Sequence, residues 1–422
     1  MLAPAEALHR IPALRPDGLR GGAVYFDSVT DDARLTLENV VGAADHGAVI
    51  LNYTEIRALS VSGRGGGHNA EVVTAEAEDR LTGRRHEIAA RYWVNATGPW
   101  VDHIRALLPG FDGSKSVRLA KGTHIVLPPV SGPYAMFAAI LPGDRIFVMA
   151  PWHGHALLGT TDTDFDGDPA SVHPDRADIE YLLNALNRVL RRPLGACDVV
   201  GSFAGLRALA LQPGRSPSAN TREHRFHRDA RVKNFISVCG GKLTTARALG
   251  EKLVDLILAE MGPVAGPAKL GRPTRQVPLP GGHIGVFDIF INYAAWDAVA
   301  KFDVPYPIAE RIVRTYGSRW AQVLQPVLAD KSRAQPLPGS PTLLRAEVDF
   351  AIGHEMATNV EDFFLRRSGL NWLAPSKLRD AAPAVAEIFA KRFGWSEVRR
   401  RSEVEAFSRY SYAAAQDRAA GE

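Results

Sequence analysis

Two arginines are the first residues whose type and spacing could do chemistry in this chain. Arg207 ends the apolar run Gly201–Arg207, and Arg222 follows further along. A guanidinium binds phosphate or carboxylate through two parallel hydrogen bonds, so such a pair suits a phosphorylated substrate. Either arginine alone would more often be a surface ion-pair residue, and only the pair indicates a binding site.

A glycine–lysine turn is the second candidate. Residues 235–238 have the pattern of a buried strand, Gly240 and Gly241 form the turn, and a helix is predicted from Leu243 onwards. The N-terminus of such a helix offers free N–H groups and the positive end of its dipole, and Lys242 adds a charge. This environment stabilises negative charge that develops on a bound ring or phosphate.

An apolar strand that ends in small residues is the third candidate. The segment Arg91–Trp100 closes with Ala96, Thr97 and Gly98. Small residues let a planar or phosphorylated ligand approach the backbone. A strand that simply ends in a tight turn explains the segment equally well when it is read alone.

Other stretches imitate metal and nucleotide motifs but lack a residue that each motif requires. Residues 162–168 begin like a calcium loop, yet His173 stands where its twelfth position needs a glutamate. Residues 240–244 imitate a phosphate loop, yet Leu243 stands where Ser or Thr would hold magnesium. A zinc-protease pattern that starts at His354 lacks its second histidine. We therefore predict no metal ion and no nucleoside triphosphate.

Length and composition predict a soluble protein with two folding units. The chain has 422 residues, of which 46% are hydrophobic and 23% charged. Its net charge of 50 − 46 = +4 would suit an anionic substrate or an acidic membrane surface, and we expect no nucleic-acid partner. Two cysteines cannot form a disulfide framework, which indicates a reducing compartment. Prolines interrupt the longest charge-free stretch, residues 122–143, so it is not predicted to span a membrane.

The apolar pattern predicts a mixed α/β body followed by a helical domain. In the body we expect helices at 31–41, 178–190 and from 243, and strands at 48–51, 72–77, 88–96, 125–127, 145–150, 156–159 and 235–238. A segment rich in Pro and Gly suggests the division into a body of residues 1–267, a linker of residues 268–284 and a helical domain of residues 285–422. Within that domain, helices are predicted at 307–315, 320–328, 343–367 and 382–393.

In their order along the chain, these segments resemble the flavin-dependent glycerol-3-phosphate dehydrogenases. The matching stretches are Gly21–Tyr25, Thr30–Leu35, Val94–Trp100, Lys121–Val126, Leu158–Asp162, Ala204–Arg207, Thr221–Arg222, Gly240–Thr245 and, in the helical tail, His354–Asp362. The resemblance covers nearly the whole chain. It implies an α/β fold with a glutathione-reductase-like FAD domain and an antiparallel substrate sheet, followed by an all-α C-terminal domain.

The resemblance also implies a reaction and a set of site residues. sn-Glycerol 3-phosphate would be oxidised at C2 to dihydroxyacetone phosphate, with hydride passing to FAD and electrons passing on to a membrane quinone. Arg207 and Arg222 would hold the substrate, His124 would accept a proton, and Lys242 would complete the catalytic set. The cofactor-binding residues implied are Ile56, Ala96, Thr97, Gly98, Trp100, Gly241, Lys242, Leu243 and Thr244. The expected location is cytoplasmic, peripheral on the inner face of the cytoplasmic membrane, and the expected assembly is a homodimer.

The family's amino-terminal fingerprint is not matched here. Family members begin with a strand, a G-x-G-x-x-G turn and a helix whose N–H groups hold the FAD pyrophosphate, followed by an arginine that assists substrate binding. The residues of this chain that match the family begin after both the fingerprint and that arginine. The glycine-rich stretch 63–67 is interpreted as a hairpin loop, and His68 stands where the fingerprint would have its third glycine. We therefore expect an incomplete FAD subdomain, from an internal start or a truncation, and poor retention of FAD.

Three alternatives remain at this point. One is a non-catalytic remnant of the family, and another is an oxidase of the same fold that reduces oxygen. The last is a related amine or amino-acid oxidase, against which the pair Arg207 and Arg222 and the helical tail both argue.

Overall fold

The computed structural model describes residues 1–62, 70–140, 145–211, 223–230, 232–262, 272–369 and 375–419. The helices of these residues are α1 (Pro4–Arg10), α2 (Asp32–Asp45), α3 (Val101–Ala106), α4 (Arg176–Asn187), α5 (Ala246–Met261), α6 (Phe287–Phe302), α7 (Tyr306–Tyr316), α8 (Trp320–Ala329), α9 (Arg345–His354), α10 (Pro375–Phe393) and α11 (Glu397–Ala419). The strands are β1 (Thr54–Val61), β2 (Val72–Asp79), β3 (Arg85–Ala89), β4 (Trp93–Asn95), β5 (Val117–Leu127), β6 (Met136–Ile140), β7 (Arg145–Trp152), β8 (His155–Gly159), β9 (Thr163–Asp164), β10 (Gly201–Ala210), β11 (Arg225–Arg228), β12 (Phe235–Cys239), β13 (Pro336–Leu337) and β14 (Ser340–Leu344).

The largest sheet is antiparallel and has β5 near its centre. Its strand order is β10-β5-β8-β7-β6, with β9 also paired to β5. One face packs on α4 through a core that includes Ile125, Leu158 and Leu182. On that face the Lys121 ammonium lies 2.6 Å from a carboxylate oxygen of Asp175 and 2.7 Å from one of Asp178, the pair that caps α4. The opposite face of β5 is therefore the one that can receive a ligand.

A smaller sheet has the strand order β11-β12-β4. Its strands β12 and β4 are the only parallel pair among the described strands. β4 runs parallel to β12, so the carboxyl ends of both strands lie at one edge of this sheet. The Asn95 amide ties the ends together by donating to Ser237 Oγ at 3.1 Å and to the Val101 carbonyl at 2.9 Å. Ligands of open α/β sheets bind at such an edge.

The described residues after 285 are mostly helical, as predicted. α6 to α11 surround two apolar cores, one containing Ala298, Ile312 and Leu324, the other Phe363 and Phe389. A short hairpin, β13–β14, lies within this part. Residues 263–271 lie outside the described residues, so the predicted linker boundary stays a prediction. None of the described helices is long and apolar enough to cross a membrane.

Several predicted elements are wrong. Residues 48–51 do not form a strand: Val49 is 84% exposed, and no described strand lies beside it to pair its backbone. The predicted strand 88–96 is divided, because β3 pairs with β2 whereas β4 leaves to pair with β12.

The predicted helix 343–367 is also wrong. It starts as β14, continues as α9 and ends at His354, after which Met356 adopts a positive φ of 54°. The Asp362 carboxylate then accepts hydrogen bonds from Thr358 N and Oγ1, which begins a separate helical turn at Asp362–Arg367. Helices α6 and α11 were not predicted, and the glycine-rich stretch 63–67 lies outside the described residues.

Candidate active site

The Arg207 guanidinium lies over Gly122 on the open face of the antiparallel sheet. β10 and β5 place Gly205 opposite Gly122 and Phe203 opposite His124, so side chains at these positions share one face. Arg207 donates to Thr160 Oγ1 at 3.1 Å and to the Thr161 carbonyl at 3.3 Å, and it pairs with Asp162 at 3.3 Å. Any Cβ at Gly122 would come within 2.6 Å of an Arg207 nitrogen, so the glycine is what lets the guanidinium lie flat against the strand.

His124 lies beside Arg207 on the same face. Its ring stacks on Phe203 with 5.3 Å between ring centroids, and a Cβ at Gly159 on β8 would overlap the imidazole. Burial lowers the pKa of His124, and the Arg207 charge lowers it further, while Asp32 at the start of α2 acts in the opposite direction. The ring is therefore neutral at pH 7 and can accept a proton.

The second cluster of candidate residues lies at the carboxyl edge of β4 and β12. Gly98 has φ 56°, Gly240 φ 73° and Gly241 φ 99°, a left-handed region that favours glycine. At Gly240 an added Cβ would also meet the Glu223 carbonyl at 2.7 Å, so this turn is held by close backbone approach. The two turns thus give the edge an unusual backbone path that only glycine provides without strain.

The side chains predicted to bind the cofactor are accessible at this edge. Lys242, Leu243 and Thr244 are exposed, and the short 3₁₀ turn Leu243–Thr245 that precedes α5 has no side-chain cap. The other predicted residues there, Ala96, Thr97 and Trp100, are exposed as well, Trp100 to 42%. Space beside Gly98 is open, since a Cβ there would meet nothing within 4 Å. Uncapped N–H groups beside a lysine and open glycine backbone fit the ring edge of a flavin.

A shared apolar cluster connects the two groups of residues. Val101, Val117, Ala210 and Cys239 pack together, and the Gly240 turn lies against Ala210 at the end of β10. Arg207 precedes Ala210 by three residues on that strand, which corresponds to about 10 Å. β10 therefore links the two groups along its length, while the side chains of Arg207 and Ala210 point to opposite faces of that strand.

Two predicted site residues are not brought into this group. Arg222 lies outside the described residues, as does the stretch that precedes it from residue 212. Ile56 lies on β1 and packs against the core of the hairpin sheet that contains Leu59 and Val72. Their roles in binding stay predictions.

Three features of the site were missed by sequence reasoning. Gly122 and Gly159 make room for Arg207 and His124, and the only signal in the sequence was a glycine within an otherwise apolar strand. The acidic run 162–168 is explained without a metal, because Asp162 pairs with Arg207 and Asp164 with Arg118. Among the described residues no group of His, Cys, Asp and Glu is arranged to hold a metal ion.

Comparison with known families divides the chain into two matched parts. Residues 1–256 match the family described as FAD dependent oxidoreductase. Residues 272–400 match the family described as the C-terminal domain of alpha-glycerophosphate oxidase.

Individual relatives agree with these family matches. The aerobic glycerol-3-phosphate dehydrogenase of Staphylococcus epidermidis is 30% identical over 413 residues, which are 96% of this chain and 72% of the relative. Glycerol-3-phosphate dehydrogenase 2 of Mycobacterium tuberculosis is 33% identical over 393 residues, which are 93% of this chain and 64% of the relative.

A solved structure confirms the predicted fold class. The glycerol-3-phosphate dehydrogenase from Bacillus halodurans, complexed with FAD, superimposes with a TM-score of 0.82 at 30% identity, covering 99% of this chain and 79% of that one. A mixed α/β body of the FAD-dependent oxidoreductase type, followed by a helical C-terminal domain, is thus established. The chain belongs to the FAD-dependent oxidoreductases, and within them to the family of the aerobic glycerol-3-phosphate dehydrogenases.

Proposed function

We propose that this chain oxidises sn-glycerol 3-phosphate at C2 to dihydroxyacetone phosphate. The observation that carries the proposal is the Arg207 guanidinium spread over Gly122 next to a partly buried His124. A bidentate cation beside a neutral imidazole suits a substrate that has a phosphate at one end and a hydroxyl to be deprotonated near it. Relatives named for this reaction support the same substrate.

Arg207 binds the substrate phosphate in this proposal. Among its partners in the described contacts are a hydroxyl, a carbonyl and the half-exposed Asp162 carboxylate, all at 3.1 to 3.3 Å. A phosphate oxygen would replace these long contacts by shorter, charge-assisted ones. Arg222 would add a second cation to the same phosphate or to a hydroxyl.

His124 accepts the proton of the C2 hydroxyl. Burial and the Arg207 charge keep the pKa of the imidazole below its ordinary value, so the ring is unprotonated at pH 7. Phe203 and Gly159 fix the plane of the ring from two sides. A base held in one orientation loses no rotational freedom when the substrate arrives.

The edge formed by Gly98, Gly241 and Lys242 would hold the flavin ring. FAD, when bound, supplies the acceptor for the hydride that leaves C2. Lys242 and the uncapped N–H groups before α5 would hold the flavin ring there and would stabilise negative charge on it. Trp100 and Thr97 would line the same cleft, and Ile56 would contact the cofactor from β1.

Electron transfer from the flavin to a membrane quinone is the finer part of the proposal. Relatives named dehydrogenases agree with an acceptor other than oxygen, whereas the family matched by residues 272–400 is named for an oxidase, so the acceptor has to be measured. We further propose peripheral attachment to the inner face of the cytoplasmic membrane, to which the net charge of +4 contributes through anionic lipid. Because such attraction is screened by salt, flotation with anionic liposomes should weaken at high ionic strength.

Steady-state turnover tests the proposal with a matched pair of variants. Arg207 and Arg118 are both 27% exposed on the same sheet, but Arg118 pairs only with Asp164 in the described contacts. With FAD in excess, Arg207→Ala should lower kcat/KM for sn-glycerol 3-phosphate by roughly 10- to 150-fold, the worth of about 1.5–3 kcal/mol for a charge-assisted contact. Arg118→Ala should retain normal turnover.

The choice of electron acceptor separates the alternatives. A soluble quinone analogue should support faster turnover than oxygen, whereas the reverse order identifies an oxidase. Equal activity of Arg207→Ala and Arg118→Ala would show that Arg207 is a structural ion-pair residue. Dihydroxyacetone phosphate must appear as the product.

A further inference from the structure

The Asp162 carboxylate forms an ion pair with Arg207 on the open face of the large sheet. It accepts a hydrogen bond from the guanidinium at 3.3 Å, while the same guanidinium donates to Thr160 Oγ1 at 3.1 Å and to the Thr161 carbonyl at 3.3 Å. The Arg207 side chain is 27% exposed and the Asp162 side chain 48%. An anion of the protein itself therefore lies beside the cation to which the substrate phosphate is proposed to bind.

The backbone on both sides of Asp162 is fixed to β5. On one side, Thr161 Oγ1 accepts from the Thr123 N–H at 2.9 Å, and the Thr161 N–H donates to the Thr123 carbonyl at 3.4 Å. On the other side, β9 pairs with β5, with Thr163 opposite Lys121. Because the chain is held at residues 161 and 163, the carboxylate can leave Arg207 only by rotation of its own side chain.

A phosphate bound to Arg207 would have to contend with this carboxylate. The guanidinium lies against Gly122, where even a Cβ would come within 2.6 Å of one of its nitrogens, so the strand closes one side of it. Asp162 already takes one of the terminal nitrogens. A phosphate dianion would therefore replace the Asp162 contact or bind next to it, and two neighbouring anions repel each other.

The proposed reaction gives such a competition a use. The phosphate group is the same in sn-glycerol 3-phosphate and in dihydroxyacetone phosphate, so a contact to it stabilises substrate and product to the same degree. Binding of this uniform kind lowers KM but does not raise kcat. A very tight phosphate site would also retain the product, whereas a carboxylate that competes for Arg207 weakens the binding of both molecules.

We propose that Asp162 is an internal competitor for Arg207, which limits the affinity of the site for the phosphate group and thereby hastens release of the product. This inference rests on the proposed function, because it requires that Arg207 binds the phosphate. It differs in sign from a positioning role. A carboxylate that merely oriented Arg207 would strengthen phosphate binding, whereas a competitor weakens it.

Calorimetric titration of the full chain with sn-glycerol 3-phosphate tests this sign. Asp162→Asn should lower Kd by roughly 3- to 30-fold, through loss of a partly exposed ion pair and relief of the repulsion of a dianion. Asp162→Glu keeps the charge and should bind no more tightly than the unmodified chain. In an Arg207→Ala background, Asp162→Asn should have a smaller effect, because no cation remains for which two anions compete.

Asp164→Asn is the matched control. It removes the same charge two residues further along, where Asp164 pairs with Arg118 instead of Arg207. Its Kd should change by less than about 2-fold, since exposed charges further from the phosphate are screened by salt. Equal tightening in Asp162→Asn and Asp164→Asn would indicate a general effect of net charge and would refute the specific role of Asp162.

Steady-state kinetics supply a second readout. With FAD in excess, Asp162→Asn should lower KM and the inhibition constant of dihydroxyacetone phosphate by similar factors, and kcat should stay the same or fall. A higher kcat in this variant would show that Asp162 does not hasten product release, and the inference would be wrong.

The remaining outcomes separate this inference from the proposed function. Unchanged or weaker binding in Asp162→Asn, beside tight binding by the unmodified chain and weak binding by Arg207→Ala, would overturn the competition and leave the proposed function standing. Equal binding by the unmodified chain and Arg207→Ala would show that Arg207 does not bind the phosphate, and both proposals would fail.

Discussion

Replacing Gly122 by alanine should weaken binding of sn-glycerol 3-phosphate without destabilising the sheet. The new Cβ would lie 2.6 and 2.7 Å from the two terminal nitrogens of Arg207 and 2.8 Å from Thr160 Oγ1. Ordinary contact begins at 3.4 Å, so the guanidinium must retreat by at least 3.4 − 2.6 = 0.8 Å. Its bonds to Thr160 and to the Thr161 carbonyl, at 3.1 and 3.3 Å, cannot all survive that shift.

The magnitudes favour a change in binding over a change in stability. Losing long hydrogen bonds at a partly exposed arginine costs about 0.5–1.5 kcal/mol. Alanine in a strand regains about 0.5–1 kcal/mol relative to glycine, so the free energy of unfolding should change little. A misaligned contact to a dianionic phosphate forfeits about 1.5–3 kcal/mol, which raises Kd by roughly 10- to 150-fold.

Calorimetric titration with sn-glycerol 3-phosphate measures this Kd, and chemical unfolding measures the stability. Gly205→Ala, at the position opposite Gly122 on β10, is the reference for stability because its Cβ would meet nothing within 4 Å. In an Arg207→Ala background, Gly122→Ala should have no further effect on Kd. The reasoning is refuted if Gly122→Ala binds as tightly as the unmodified chain, or if it weakens binding equally without Arg207.

Two other predictions follow from contacts in the same sheet. Gly159→Ala should displace the His124 ring, because the new Cβ overlaps it, and should lower kcat more than it raises KM; a normal kcat would contradict the role of His124 as proton acceptor. Burial alone raises the pKa of Asp175, but the ion pair with Lys121 outweighs burial and lowers this pKa below its ordinary value of 3.8. The Asp175 carboxylate therefore stabilises the fold at pH values above 3.8, and this stabilisation is lost as the pH falls through the lower pKa of the folded state. The difference in unfolding free energy between the unmodified chain and Lys121→Met should accordingly be largest near neutral pH and should shrink below about pH 4. Urea unfolding across a pH series measures this difference. A difference that stays constant with pH would show that the ion pair is not linked to proton binding.

Local elements of the site could be predicted because their signals lie close together in sequence. The pattern around the Lys242 turn predicted a strand, a turn and a helix, and the structure has β12, two glycines of positive φ and then α5. Strands were likewise predicted at residues 145–150 and 156–159, where the structure has β7 and β8. Each of these rests on hydrophobic periodicity and on glycine's access to left-handed backbone, both of which are readable from a short window.

Contacts between distant parts of the chain could not be predicted in this way. Gly122 and Gly159 acquire their meaning only from the register of β5 with β10 and β8, which no single strand specifies. Arg34 and Glu355 are 321 residues apart, and nothing near either residue indicates its partner. The exposed Val49 shows the opposite failure, since an apolar run was interpreted as a buried strand where no described neighbour pairs with it.

Anaerobic reduction of the flavin tests the central claim most directly. The chain, with FAD supplied in solution, would be mixed with sn-glycerol 3-phosphate, and the visible absorbance of oxidised flavin would be followed together with the product. The account predicts loss of that absorbance, one dihydroxyacetone phosphate formed for each flavin reduced, and a much slower reaction in Arg207→Ala. FAD that stays oxidised in the presence of the chain and saturating sn-glycerol 3-phosphate would contradict it.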